Sequence, residues 1–411
     1  MTFTVDALSQ SPNPLAAHYR HFRVAERLLL TGHSHQAWPD CGLSAHEQAW
    51  LDAAEHVDDK WSFAFAKADR VRQGYARLLG DQDGSIALGA NTHELLVRWL
   101  SALPLRRRPR LVTTDGEFHT IRRQLDRLAE EGVEVMIVPS VPVDDLAERL
   151  ALTLDDRTAA VLVSAVLYRD ARIVDGLGPL LFACQRVGAE LLIDAYHALG
   201  AVPFLLAAQE LERAFVVGGG YKYCQLGEGN AFLRSPPDCT LRPVITGWFA
   251  EFDAISASDS TQRTGVPYGR GGLRFAGATY DPTSHYRGAT VFDFFEAQHL
   301  TPEFLRRVSQ HQIQRLADRF DHLDADPNII TRDRRTPLSR FGGFLALETP
   351  FAAALTDALR CRGVMSDHRL NRLRLGPAPY LTDDQLDRGI DALADALGAL
   401  SGPNGRTSPL S

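Results

Sequence analysis

Between Ser85 and about Arg234 the chain alternates short apolar runs with amphipathic segments of helical length, and this alternation narrows the fold before any single residue is considered. The apolar runs are Ser85 to Leu88, Leu111 to Thr113, Val133 to Val138, Ala159 to Val163, Glu190 to Ile193, Ala214 to Val217 and Asn230 to Leu233. Between most of them lie helix-length stretches such as Thr92 to Ala102, Phe118 to Glu130, Val143 to Leu152 and Gly176 to Val187. Strands that alternate with helices pair in parallel and carry the helices on both faces, so the expectation is an α/β fold on a mainly parallel, seven-stranded sheet. Ligands on such sheets collect beyond the carboxyl ends of the strands.

Past about Thr290 the pattern changes. Helical stretches from Val291 to Phe320 precede a strand at Gly343 to Glu348, a helix from Phe351 to Arg360, a strand around Arg372 to Leu375 and a final helix from Thr382 to Leu397, with Thr382 as its N-cap. A chain of 411 residues exceeds one ordinary core, so it divides into a large domain over 46–289 and a smaller C-terminal α+β domain over 290–400. The segment 1–45 is expected to pack on the small domain, and the tail 401–411, rich in glycine, proline and serine, to be disordered.

Composition excludes several classes. A net charge of -7 and a pI near 6.1 give no electrostatic reason for nucleic-acid binding, and the basic run Arg106-Arg107-Arg108-Pro109-Arg110 reads as a solvated loop or a phosphate patch. No apolar stretch reaches the ~18 residues of a membrane span, and the N-terminus lacks a basic segment leading into an apolar run, which makes the cytoplasm the expected location. The five cysteines are odd in number and show no metal-ligand spacing, so they read as reduced thiols and no metal site is expected.

The strand ends carry the chemistry. Asp194 ends one apolar run, in Ile193-Asp194-Ala195-Tyr196-His197, and Lys222 follows the next, in Gly218-Gly219-Gly220-Tyr221-Lys222-Tyr223. An acid to hold a proton on a pyridine nitrogen and a lysine to form a Schiff base are what pyridoxal 5'-phosphate requires. The three glycines suit a backbone that approaches a flat ligand. Taken alone, Asp194 could cap a strand-to-helix turn, His197 could be a satisfied surface histidine, and Lys222 a solvated lysine. His197 is otherwise placed to support Asp194 or to lie against the cofactor ring. Ala90-Asn91-Thr92-His93-Glu94 offers backbone amides and a hydroxyl to a phosphate, or is a plain helix cap. Asp115-Gly116-Glu117-Phe118-His119-Thr120 supplies an aromatic cover, unless Phe118 belongs to the core.

Together these segments resemble the class V aminotransferase family of fold type I pyridoxal phosphate enzymes, with kynureninase the nearest branch, over roughly Leu28 to Leu397. The motifs that carry it are Asp194-Ala195-Tyr196-His197-Ala198-Leu199-Gly200-Ala201-Val202-Pro203, Gly220-Tyr221-Lys222-Tyr223 and Gly247-Trp248-Phe249. The resemblance implies Lys222 as the Schiff-base lysine, Asp194 at the pyridine nitrogen with His197 beside it, Phe118 stacked on the ring, and Tyr221 with the amides of Thr92 and His93 at the phosphate. It also implies Trp248 as a cofactor contact. Arg274-Phe275-Ala276-Gly277-Ala278-Thr279 matches the segment whose threonine reaches the phosphate from a second subunit, which implies a homodimer with shared sites. Leu373-Arg374-Leu375-Gly376-Pro377 matches the segment whose arginine clamps the substrate carboxylate, a task suited to a bidentate fork.

Departures from the pattern fall on the substrate side. The family's Leu-Asp-Gly-Asn-Ser-Leu-Gly is Leu30-Thr31-Gly32-His33-Ser34-His35-Gln36 here, its Val-Asn-Tyr is Val166-Leu167-Tyr168, and Glu94 stands where kynureninase has threonine. His33 and His35 therefore either meet a different substrate side chain or form a structural turn. The implied reaction on a small amino-acid substrate is hydrolytic Cβ–Cγ cleavage of a kynurenine-type compound to alanine and an aryl acid. Transamination or a lyase outcome on another amino acid is the alternative, and a non-catalytic cofactor-fold binding protein a third reading. Cysteine desulfuration needs a nucleophilic cysteine in the loop before Arg374, and there is none between Arg362 and Leu373.

Overall fold

The computed structural model describes residues 3–81, 85–252 and 265–401. Its centre is a seven-stranded sheet formed by β1 (Ser85–Gly89), β2 (Arg110–Thr114), β3 (Glu134–Val138), β4 (Thr158–Ser164), β5 (Glu190–Asp194), β6 (Phe215–Gly219) and β7 (Ala231–Ser235). In space the order is β1-β7-β6-β5-β4-β2-β3. All pairings are parallel except those of β7, which runs against both β1 and β6. The sheet is the one expected from the apolar runs, each strand shifted by a residue or so.

Alternate side chains of the central strands feed two cores. On one face Leu111, Leu162, Leu192, Phe215 and Leu233 pack on Leu95, Trp99, Ile121 and Leu125 from the helices Thr92–Ser101 and His119–Glu130. On the other, Val112, Val161, Val163, Ile193 and Val216 meet Leu146, Leu150, Leu177 and Leu180 from Leu146–Leu152 and Leu177–Val187. Burial on both faces explains why these strands read as continuous apolar runs rather than alternating ones.

Two helices, Cys41–His56 and Lys60–Leu79, precede the sheet. The helical stretch expected over Val291 to Phe320 is two helices, Thr283–Ala297 and Pro302–Asp321. The break falls where Thr301 accepts the Phe304 amide at 3.2 Å and Pro302 opens the second helix. A three-stranded antiparallel sheet follows, of β8 (Leu345–Glu348), β9 (Asp367–Arg369) and β10 (Arg372–Leu375), in the order β9-β10-β8. The N-terminal segment reaches this region through a parallel pairing of Leu28–Leu29 with Val364–Met365 and a bridge from Thr31 to Gly376. The tail expected to be disordered, 401–411, lies outside the described residues except for Ser401, which ends the helix Asp383–Ser401.

Candidate cofactor and active site

A cavity of about 340 Å³ opens at the carboxyl ends of the parallel strands. Its lining comes from the turn after β1 (Asn91, Thr92, His93), from Phe118 after β2, from Ser164 at the end of β4, from Asp194, Tyr196 and His197 after β5, and from Tyr221 and Lys222 after β6. Because β7 runs the opposite way, its first residue, Ala231, and Asn230 just before it close the same end. That volume lies within the usual range of small-molecule sites.

Lys222 is 6% exposed, and its Nζ lies 2.6 Å from His197 Nε2. The rings of Tyr196, Phe118 and Tyr221 surround it, with centroids 4.7, 5.5 and 5.8 Å from Nζ. Burial pushes its pKa from 10.5 down to about 7; Arg374 and Arg369 add to that, and Asp194 opposes it. Burial and the Lys222 charge likewise hold His197 well below the ordinary range for histidine. His197 is thus a neutral imidazole whose Nε2 accepts from the amine, which leaves the proton on Nδ1, a buried atom with no partner among the described residues. Asp194 is raised by burial, against the Tyr196 amide that donates to its Oδ1 at 2.8 Å. The expected support of Asp194 by His197 does not occur: among the described residues no hydrogen bond joins them, and the imidazole is bound to Lys222 instead.

The glycines before Lys222 also have a reason within the protein. A Cβ on Gly218, Gly219 or Gly220 would come within 2.9, 2.5 or 2.6 Å of Phe232, Tyr196 or Leu226. They make room for protein side chains that press on the lysine's strand.

At the start of the helix Thr92–Ser101, Asn91 accepts the Glu94 amide at 3.0 Å, which leaves the first-turn amides of Thr92 and His93 facing the cavity end. The Glu94 side chain, which stands where the family has threonine, turns to Arg98 at 3.4 Å. Phe118 lines the cavity and meets Tyr168 edge-on, with centroids 5.4 Å apart. Tyr221 is stacked at 4.8 Å by His35, whose imidazole is largely exposed.

Five expected site residues, His35 and Arg374 among them, are outside the cavity lining in this chain. Trp248 is 46% exposed and packs on Phe249 and Phe252 in the turn Trp248–Glu251. Thr279 is exposed, outside the cavity lining. His33 is fully buried; its Nε2 lies 2.7 Å from Asp367 Oδ1, its ring packs on Phe344, and burial lowers its pKa to about 4.

Arg374 does not present an open fork. Its Nε and Nη2 donate to the two oxygens of Asp367, at 2.8 and 2.5 Å, and its Nη1 donates to the Tyr168 carbonyl at 2.5 Å. Burial works to raise the Asp367 carboxyl, yet the bonds from His33 and Arg374 hold it well below the usual range. What remains of the guanidinium is one N–H on each terminal nitrogen. Asp367, Tyr196, Glu117 and Ser164 are the site residues that sequence reasoning passed over. Glu117 and Tyr196 stand inside segments it had singled out, and a buried carboxyl next to the aromatic cover was the available signal.

The cavity's chemistry fits pyridoxal phosphate. Among the described residues it offers a buried amine without a carboxylate bound to it, a carboxyl with one oxygen bonded by protein, an orphaned imidazole nitrogen, an aromatic cover and helix-start amides. Sheet order, flanking helices and strand-end cavity define a class V aminotransferase-like, fold type I pyridoxal phosphate fold. Solved structures agree. A C-DES mutant with glycine covalently linked to its PLP cofactor superposes with a TM-score of 0.79 over 93% of this chain and 99% of that one, at 17% identity. The apo cysteine desulfurase of Thermococcus onnurineus NA1 gives 0.77 over 97% and 100%, at 15%. Among curated proteins, an uncharacterized aminotransferase of Bacillus subtilis, YcbU, is 23% identical over 90% of this chain and 96% of its own length. The kynureninase of Pseudomonas fluorescens is 26% identical over 97% and 96%. No family model matches the chain.

Proposed function

We propose that this chain is a pyridoxal phosphate enzyme acting on an α-amino acid, in the cytoplasm and as a homodimer, with hydrolytic Cβ–Cγ cleavage of a kynurenine-type substrate as its reaction. The observation that carries the cofactor reading is Lys222: buried, at a strand end, held by a neutral histidine and facing Asp194 across one cavity. When bound, the cofactor supplies an electron sink for the bonds at the substrate's Cα. Lys222 Nζ, with its lowered pKa, is available uncharged near neutrality, so it can bond a carbonyl carbon and later carry a proton to and from Cα. His197, a neutral imidazole, holds Nζ in place through the hydrogen bond at its Nε2. Asp194 holds a proton donor on the ring nitrogen with the oxygen that Tyr196 leaves free. The amides of Thr92 and His93, with Tyr221, bind the phosphate, and Phe118 covers the ring.

The carboxylate of the substrate goes to the two N–H groups that Asp367 and Tyr168 leave on Arg374. Cleavage consumes one water and yields alanine and an aryl acid. The motifs around Tyr221, Trp248 and Arg374 and the full-length likeness to the Pseudomonas kynureninase support this reaction; the likeness to YcbU favours transamination as the second reading. His35, stacked on the cavity residue Tyr221, is the histidine assigned to meet a substrate side chain. Trp248 and Thr279 serve the site of a second subunit.

The test is optical. Protein mixed with pyridoxal phosphate is expected to gain visible absorbance that borohydride removes and that Lys222→Ala lacks; a colourless wild-type protein ends the reading. Kynurenine and 3-hydroxykynurenine are then expected to give anthranilate-type fluorescence and alanine. If neither product forms while an added keto acid is aminated, the hydrolase assignment gives way to the aminotransferase.

A further inference from the structure

The segment Thr31-Gly32-His33, which departs from the family pattern, runs against the arginine corner. Thr31 bridges to Gly376, and the Gly32 amide donates to the Gly376 carbonyl at 2.7 Å. Two glycines permit the approach: a Cβ on Gly32 would come within 2.4 Å of the Pro377 carbonyl oxygen, and one on Gly376 within 2.1 Å of His33 Nδ1. His33 is enclosed as a result, 0% exposed, with its ring packed on Phe344 at 4.6 Å. The same phenylalanine carries Arg374, whose Cζ lies 5.4 Å from the ring centroid.

Between imidazole and guanidinium stands Asp367, set opposite Arg374 by the β9–β10 register. Arg374 donates through Nε to Oδ1 and through Nη2 to Oδ2, and a carboxylate gripped on both oxygens by a guanidinium is ionised, with only lone pairs to offer. His33 Nε2, 2.7 Å from Oδ1, must therefore carry the proton of its imidazole and donate it. Arg369 Nη1 stands 3.7 Å from Oδ2, beyond hydrogen-bond reach, so among the described residues His33 is the second side-chain donor to this carboxylate. Oδ1 thus serves two donors. It stays bonded when one of them turns to another partner, where an oxygen with a single donor would be left bare.

We propose that His33 is a positioning residue: by donating to Asp367 it anchors that carboxylate independently of Arg374, so that the arginine can share its N–H groups with the carboxylate of an arriving α-amino acid. The inference rests on the reading of Arg374 as the carboxylate clamp and adds the residue that sets how firmly the clamp is already held. Without the histidine's proton, Asp367 depends on Arg374 alone, and an incoming carboxylate competes with one that has no other side chain to fall back on.

The experiment uses the pyridoxal phosphate-loaded protein and two amines, L-alanine and ethylamine, which differ by the carboxylate. The change in visible absorbance on titration gives a dissociation constant for each, and the ratio of the ethylamine to the alanine constant isolates what the carboxylate contributes. His33→Phe keeps a ring on Phe344 and loses the donor; His33→Gln loses the ring and keeps an N–H at the reach of Nε2. Expected are a ratio lowered roughly fivefold or more in His33→Phe, a ratio within about twofold of wild type in His33→Gln, and an unchanged ethylamine constant in both. An unaltered ratio in His33→Phe overturns the proposal, and so does an equal fall in both variants, which would make ring packing the cause. Should His33→Phe not fold, His33→Leu takes its place with the same expectation. A wild type that favours alanine beside an indifferent His33→Phe removes this inference alone. A coloured wild type that binds alanine no better than ethylamine removes the clamp reading with it, and a colourless wild type removes the cofactor reading as well.

Discussion

Lys222 is in an environment that works against its charge, and this has a thermodynamic signature. In the folded chain its amine titrates at about 7 rather than 10.5. In the unfolded chain it keeps its proton up to the higher value. Between the two, the unfolded state binds more protons, so this residue makes stability rise with pH over that window; below about 7 both states are protonated and the full penalty is present. Lys222→Met removes the penalty. The cofactor-free variant is expected to be more stable than wild type by on the order of 2 kcal/mol or more at about pH 6, and by much less at about pH 10. Thermal unfolding across that range checks it, and a difference that stays flat with pH would be incompatible with the burial described.

Among the elements, the last helix shows how local sequence anchors distant chain. Thr382 Oγ1 accepts the Gln385 amide at 3.3 Å, and Gln385 Oε1 accepts the Thr382 amide at 3.0 Å, a reciprocal capping box. Gln385 Nε2 also donates to the carbonyls of Val24 and Arg27, so the cap ties the N-terminal segment to this helix. Thr382→Ala is expected to lower stability by about 1 kcal/mol, and Gln385→Ala by more, since it also leaves one buried and one partly buried carbonyl without their donor; chemical denaturation would rank them. The opposite ranking would mean that the cap alone carries the effect.

What the sequence disclosed, and what it withheld, also divides by element. The central sheet strands were legible because they are buried on both faces and so are largely apolar, and the strand ends gave away Lys222 and Asp194. The helices Cys41–His56 and Lys60–Leu79 were not, because they bury small or polar residues such as Gly42, Ala45, Asp52, Ala64 and Gly74, which leave a weak apolar period. Side-chain partners were the least legible. That His197 binds Lys222 rather than Asp194 depends on a contact across 25 residues, and that Asp367 fills the fork of Arg374 depends on the register of the β9–β10 hairpin, which sets the two opposite each other.

At the scale of the whole molecule, the exposed positions of Trp248 and Thr279 lead to a test of shared sites. If the phosphate of one cavity is reached by Thr279 of another copy, then Lys222→Ala and Thr279→Ala chains are each deficient, but a mixed dimer contains one intact site. Mixing the two variants under exchange conditions is expected to restore visible absorbance that neither shows alone, while sedimentation reports a dimer. Absence of recovery from dimers that do exchange would place Thr279 outside the site.

Asp367 gives the arginine corner a property that a bare cation lacks. Any carboxylate arriving at Arg374 meets one that is already there and cannot diffuse away. A tethered anion competes at high effective concentration, so an incoming group must offer more than charge to be retained. Stray anions are at a disadvantage against it, and a ligand whose other parts also fit is not. Selectivity at that corner is therefore a difference between two carboxylates, set by the chain itself before any ligand enters.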